Sequence, residues 1–360
     1  MSHWIARDQE LRDLLTGAPD VFGLDTEFMR TDTFLPRLAL VQVGVGERIG
    51  LVDPLAVTDA TPLAALLADP RRLCVMHSAS EDLEALATWS CTIVHLFDTQ
   101  IAAAFAGLGA GLGYQALVRD LLGVELPKAH TRSDWLQRPL SPEQLEYAAQ
   151  DVAHLPALHA GLAARLDQRG YAGWFAEDCA RLLERARRRE ADPQPQLALR
   201  AAADWPPERQ ALLRRVLRWR DAGARTLNRP RAWLLDDARA LDLSARPPAT
   251  VEDLFERTRG LRALRGPQRI ELLAVLNAPV APDELDLPPI ARAPDARDRR
   301  VIAAMKEVVA ARAANLGLPE GLLCARRHLE SLLSTHAWPP SLEGWRRPLL
   351  HDELIALLPD

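Results

Sequence analysis

The sequence predicts an α/β domain built on a mixed sheet, followed by two small all-α helical bundles, and two observations carry that expectation. Strand-like apolar runs at 21–24, 38–45, 49–52, 73–76 and 93–97 all precede residue 100. The first three lie close together, and helical patterns at 62–68 and 80–89 then alternate with the last two, the order expected of a mixed sheet. Beyond Tyr114 the apolar spacing is helical, with no convincing strand.

Each element has its own reason. Val21-Phe22-Gly23-Leu24 is apolar on both faces, as a buried strand must be. The segment 141–169 repeats apolar residues at helical spacing. Proline-marked breaks at Asp192-Pro193-Gln194-Pro195 and Asp286-Leu287-Pro288-Pro289 divide the chain into expected domains 1–195, 196–285 and 286–360. Helical patterns fill the middle piece at 208–222, 231–240, 250–257 and 267–276, and the last piece at 298–316, 320–334 and 351–358. The two pieces share a style without aligning as strict repeats. Gly107-Leu108-Gly109-Ala110-Gly111-Leu112-Gly113 looks like a phosphate loop only superficially, because a helical pattern precedes it where the dinucleotide fingerprint needs a strand. It reads as a flexible connection.

At 360 residues and 48% hydrophobic content the chain exceeds one ordinary domain and can bury real cores. Charge is uneven. Residues 1–170 hold 13 Lys and Arg against 22 Asp and Glu, whereas 181–231 hold 14 Arg against 6 acids. An acidic half suited to metal and a basic stretch suited to polyanion is one reading, and a set of solvated arginine faces is the other. Cys74, Cys91, Cys179 and Cys324 show no CxxC spacing, which argues against a disulfide framework or a zinc site. Charges at Arg7, Asp8, Glu10, Arg12 and Asp13 interrupt the start as no signal peptide would allow, and no apolar run approaches a membrane span. The expectation is a cytoplasmic protein with no membrane contact and no obligate protein partner.

Two fragments 120 residues apart carry the chemistry. Asp25 and Glu27 end the first strand run at i and i+2, so both carboxylates face one way. Tyr147 and Asp151 stand at i and i+4 and share a helix face. Asp82 begins another helix, where Ser78 and Glu81 fit a capping box. Four acids converging would repel one another unless cations neutralise them, and two divalent ions clamping a phosphodiester is the usual solution. A phenol with a reference pKa of about 10 is a poor base, so positioning water by hydrogen bond suits Tyr147 better.

The motifs Phe22-Gly23-Leu24-Asp25-Thr26-Glu27-Phe28, His77-Ser78-Ala79-Ser80-Glu81-Asp82-Leu83 and Leu145-Glu146-Tyr147-Ala148-Ala149-Gln150-Asp151-Val152 resemble the DEDD exonucleases of the tyrosine-containing branch, most closely the bacterial ribonuclease D family. Ser133-Asp134-Trp135-Leu136, Arg138-Pro139-Leu140 and Asp98-Thr99-Gln100 extend the likeness. Leu212-Leu213-Arg214-Arg215-Val216-Leu217-Arg218-Trp219-Arg220 with Leu227-Asn228-Arg229-Pro230 resembles the HRDC domain, a helical nucleic-acid-binding module, and the final piece is similar to it more loosely.

The resemblance implies a ribonuclease H-like fold and a 3′→5′ exoribonuclease that releases nucleoside 5′-monophosphates in tRNA and stable-RNA maturation. It implies two divalent ions, Mg²⁺ or Mn²⁺, on Asp25, Glu27, Asp82 and Asp151, with Tyr147 orienting the attacking water. The implied partner is RNA with a single-stranded 3′ end, tRNA precursors among them. Phe28 and Gln42 are candidates for the terminal nucleotide, and Lys128, Trp135 and Arg138 for phosphate or strand closure. Trp135 reads equally as core, and His77 as a substrate contact or a satisfied core residue. Asp98 reads as a helix cap. The same chemistry on DNA and an inactive nucleic-acid adaptor are the competing readings; the first shares every acid, and the second normally lacks one.

Overall fold

The computed structural model describes residues 2–127, 133–188 and 190–359. By Cα packing these form two units, one of 1–29, 36–188 and 300–360, the other of 30–35 and 189–299.

The first unit holds a six-stranded sheet of β1 (Ser2–Ile5), β2 (Val21–Met29), β3 (Arg37–Val45), β4 (Arg48–Val52), β5 (Leu73–Met76) and β6 (Leu96–Asp98), in the order β1-β4-β3-β2-β5-β6. β3 is antiparallel to β2 and β4, and the pairs β1–β4, β2–β5 and β5–β6 are parallel, so the sheet is mixed. β2 is longer than its apolar run and carries Asp25 and Glu27 within it, with a register shift after Glu27. Strand pairing supplies two departures from expectation. Ser2–Ile5 becomes a strand by pairing parallel with β4, and the last strand begins at Leu96 because its partner Cys74 sits opposite there.

Helices α1 (Asp8–Leu15), α2 (Thr61–Ala68), α3 (Ser80–Thr88), α4 (Thr99–Phe105), α5 (Tyr114–Leu122), α6 (Pro142–Ala153), α7 (Leu155–Arg169) and α8 (Ala172–Arg187) complete this part. The segment expected as one helix over 141–169 is broken at His154. Pro156 explains the break: it lacks an N–H for the carbonyl of Val152 and its ring clashes there. The freed Val152 oxygen settles over two glycines of the sheet. A Cβ on Gly23 would stand 3.2 Å from it and one on Gly44 3.4 Å, so bare strands let α6 end close against the sheet.

Helices Ala296–Leu316, Arg326–Thr335 and Arg347–Ile355 bring residues 300–360 into this same unit. Met305, Val309, Leu332, Trp345 and Leu350 share one buried core with Phe97, Phe105, Leu162 and Phe175. Trp345 stacks on Trp174 with centroids 4.7 Å apart, and Arg346 forms a buried two-pronged pair with Asp178 at 2.6 Å.

The second unit is helical: α9 (Pro207–Leu227), α10 (Arg231–Leu234), α11 (Asp237–Ala245), α12 (Val251–Arg257) and α13 (Gly266–Asn277) around Leu213, Val216, Leu243 and Leu272. Its backbone plan returns in the last segment. Both α9 and Ala296–Leu316 have 21 residues. Each ends at a left-handed residue, Asn228 or Gly317, then a proline, a four-residue helix, an extended residue (Leu235 or Cys324) and a further helix. Leu227 and Leu316, Pro230 and Pro319, and Leu234 and Leu323 stand at matching places.

Among the described residues no helix is long and apolar enough to cross a membrane. All four cysteines are buried and free.

Candidate active site

Strand alternation aims Asp25 and Glu27 at the face covered by α6, and the capping box of Ser141 with Gln144 starts that helix in the register that brings Asp151 to them. One carboxylate oxygen from each of Asp25, Glu27 and Asp151 lies within 4.8 Å of the others. Asp82 stands outside this three-acid group and is buried in the first turn of α3. The hydroxyl of Thr26, which alternation turns away from its two acidic neighbours, donates to Asp82 Oδ1 at 2.5 Å. Asp98 replaces the expected capping box of Ser78 and Glu81. Its carboxylate accepts from the N–H groups of Ser78, Ala79, Gln100 and Ile101, and so it pins the starts of both α3 and α4.

No arginine or lysine pairs with these four acids among the described residues, and their proton affinities show it. Burial, then the charges of Asp82, Asp151 and Glu27, push Asp25 well above the usual carboxylate range. Burial raises Glu27 to about 8, with Asp151 and Asp82 adding to it. Asp151 is pushed up to about 7 and Asp82 to about 6, burial leading in both. One oxygen of Asp151, Oδ2, is buried without a hydrogen-bond partner. An all-oxygen set of crowded, unpaired carboxylates fits a hard divalent cation. Burial and the surrounding acids, Asp151 first, also raise the Tyr147 phenol, which keeps its proton one helical turn before Asp151. A cleft lined by Gln115, Leu126, Pro127, Glu143 and Glu146 opens onto Tyr147 and Asp151.

The other candidates fall in varied places. Trp135 is buried, its ring 6.0 Å from that of Tyr147, and it backs the phenol as core. Arg138 is tied to Asp53 at 2.6 and 2.8 Å and to the carbonyls of Ala39, Trp135 and Gln137. Its charge is spent on holding the loop before α6. Phe28 is partly buried at the end of β2. His77 bonds Thr99 Oγ1 at 2.8 Å and meets Tyr114 edge-on, while its Nε2 is buried without a partner. Gln42 is wholly buried on β3 directly opposite Asp25. Lys128 lies outside the described residues. Sequence reasoning passed over Thr26 and also Tyr114, whose hydroxyl donates to the Gln150 carbonyl at 2.8 Å and accepts from His154 N–H at 3.3 Å, fixing the end of α6. Thr26 was visible as the residue between two acids; for Tyr114 no local signal existed.

Residues 2–167 match the family model described as 3′–5′ exonuclease. The chain is 44% identical to the ribonuclease D of Xanthomonas oryzae pv. oryzae over 99% of each, and 38% identical to that of Pseudomonas paraeruginosa over 99% of this chain and 97% of that one. The chain belongs to the ribonuclease D family. Escherichia coli RNase D, an exoribonuclease involved in structured RNA processing, has the same fold, with a TM-score of 0.86 at 28% identity over 99% of this chain and 98% of that one. Membership in the ribonuclease D family makes this chain a 3′–5′ exoribonuclease, a hydrolase of phosphodiester bonds. The ribonuclease D relatives run the full length of the chain, so the helical residues beyond 167 belong to the family plan as much as the sheet does.

Proposed function

We propose that the acidic cleft hydrolyses the last phosphodiester of a single-stranded RNA 3′ end, releasing nucleoside 5′-monophosphates, with tRNA precursors and other stable RNAs as substrates. The observation that carries this reading is the group of three carboxylates within 4.8 Å of one another, raised in pKa and unpaired by any arginine or lysine among the described residues. Asp25, Glu27 and Asp151 would hold one divalent ion, and Asp82 with Asp25 a second. Two such ions, Mg²⁺ or Mn²⁺, would supply the charge that lets the acids ionise together and would steady the attacking and leaving oxygens of an in-line displacement. Tyr147, protonated and one helical turn from Asp151, orients the attacking water through its hydroxyl. Water's oxygen bonds to phosphorus and releases a proton to solvent, the bond to the 3′ oxygen of the preceding nucleotide breaks, and that oxygen takes up a proton as the 3′ hydroxyl of the shortened strand.

The HRDC-like motifs support residues 196–285 as a nucleic-acid-binding module, and the shared backbone plan supports a diverged copy in 286–360. Free buried thiols fit a reducing compartment, the cytoplasm. The test is a 3′-tailed RNA hairpin beside a DNA counterpart, incubated with the protein in Mg²⁺ or EDTA. A ladder shortening from the RNA 3′ end, with 5′-mononucleotides, is expected; EDTA and Asp151→Asn abolish it and Tyr147→Phe slows it. RNA left intact yet shifted on a gel would sink the reading.

A further inference from the structure

Gln42 occupies a place where a glutamine has no structural reason to be. It is wholly buried in β3, flanked by Leu40 two residues before it and by Leu51 on the neighbouring strand. Those leucines pack with Ala148 of α6 in one small core. Neither Oε1 nor Nε2 of Gln42 has a hydrogen-bond partner. A buried amide left unsatisfied costs stability, and an apolar residue of equal size would avoid the cost. Register answers what the amide faces. Gln42 is the direct cross-strand neighbour of Asp25, and opposed residues of an antiparallel pair project to the same face with Cβ atoms about 4.5–5.5 Å apart.

Asp82 shows the kind of support that Gln42 could give. Asp82 receives the Thr26 hydroxyl at 2.5 Å. Asp25, which feels the charge of all three other acids, has no such side-chain donor among the described residues. We propose that Gln42 is the positioning residue for Asp25: its Nε2 donates to the Asp25 carboxylate once that carboxylate is ionised around a divalent cation, and so fixes the orientation in which Asp25 ligates. This rests on the metal reading above. A supporting hydrogen bond of this kind sets ligand orientation, and its loss typically weakens metal binding ten- to a hundredfold.

The test is titration calorimetry of Mg²⁺ into the full chain and into Gln42→Met, with melting temperatures measured metal-free. The expected result is Mg²⁺ binding weakened about ten- to a hundredfold, with a metal-free melting temperature equal to or above that of the parent. Equal Mg²⁺ affinity in both proteins overturns the proposal and leaves the metal reading standing; a parent that binds no Mg²⁺ overturns both. A lower metal-free melting temperature would mark the amide as structural and also overturn it. Should Gln42→Met not fold, selective ¹⁵N-glutamine labelling of the parent decides: the Gln42 side-chain amide resonance shifts on Mg²⁺ addition if it bonds Asp25, and stays still if it does not.

Discussion

Asp151 and Asp221 are both aspartates on helices with a polar residue four positions away, yet they are driven in opposite directions. Burial lifts Asp151 to about 7; Tyr147 works against the rise, and Asp82 adds to it. Burial lifts Asp221 too, but Arg225 and Arg231 outweigh it and hold the carboxyl below its ordinary value. The contrast runs through both units. In the helical unit Asp236 is matched by Arg239, Asp242 by Arg257 and Arg246, and Glu284 by Arg215. In the sheet unit Asp25, Glu27, Asp82 and Asp151 have no such cation among the described residues. Acids that carry their own counter-charge stabilise a fold. Acids held close without one destabilise it, and their retention points to a counter-charge that arrives from outside.

Neutralising one site acid gives the largest expected effect. Asp25→Asn or Asp151→Asn should cut turnover on a tailed RNA by at least about 10²–10³-fold, the scale of losing a group that acts on transition-state charge. The metal-free melting temperature should rise in the same variants, because repulsion inside the cluster is relieved. A fall in melting temperature would mean that these carboxylates are structural and would break the comparison.

The pH dependence of the metal-free protein comes next. Glu27, Asp151 and Asp82 have folded-state pKa values of about 8, 7 and 6, above those of an unfolded chain. The folded state therefore binds more protons, and the stability these groups contribute is complete below about pH 4 and lost as pH rises towards 8. Metal should flatten that slope, and Mg²⁺ at about 100 times its dissociation constant should add about 2.7 kcal/mol. Thermal melts across pH 5–8.5, with and without Mg²⁺, measure both. A metal-free slope of zero would remove the electrostatic account of the site.

Much of this architecture was legible, for identifiable reasons. The apolar runs behind β2 to β5 were readable because buried strands need continuous apolar sequence, and Asp25, Glu27, Tyr147 and Asp151 because their spacings are fixed by strand and helix periods. What escaped depends on partners distant in sequence. Ser2–Ile5 is a strand only because β4 lies beside it. Thr26 finds Asp82 56 residues away, and Tyr114 reaches Gln150 36 away. The basic stretch read as free charge, yet Arg215, Arg220, Arg225 and Arg231 are spent on Glu284, Asp237 and Asp221. The last segment reads as a bundle, but its apolar face is shared: a truncation near residue 200 would strip Trp345 and Leu350 from the core around Phe105. The break at His154 escaped as well, although Pro156 disfavours a helix that runs through its fourth predecessor.

A smaller effect is expected at the paired acids. Arg215 grips Glu284 with two nitrogens and also bonds the Val275, Ala278 and Pro279 carbonyls, and the pair is mostly shielded from solvent. The Arg215 hydrogen bond leads in holding Glu284 down at about 2. The sign is opposite to that of the site: this stability is present above the unfolded glutamate value and lost as pH falls from about 4.5 towards 2. Glu284→Gln should cost about 1–3 kcal/mol at neutral pH, the scale of hydrogen bonds to a charged group, and leave Mg²⁺ affinity untouched. A change in Mg²⁺ affinity would contradict the separation of the two kinds of acid.

The smallest effect belongs to Arg246, which bonds Asp242 from a position 81% exposed. Asp242 keeps the better-shielded Arg257, whose two nitrogens hold the same carboxylate at 2.7 and 3.1 Å. Solvent and salt screen an exposed pair, and fixing two long side chains offsets the little attraction that survives, so Arg246→Ala should change stability by less than about 0.5 kcal/mol. Urea unfolding at low and at high salt tests this. A loss above about 1 kcal/mol, shrinking with salt, would show that the outer arginine matters as much as the inner one. The distinction that decides an acid's behaviour here would then lie in the number of cations around it and no longer in their shielding.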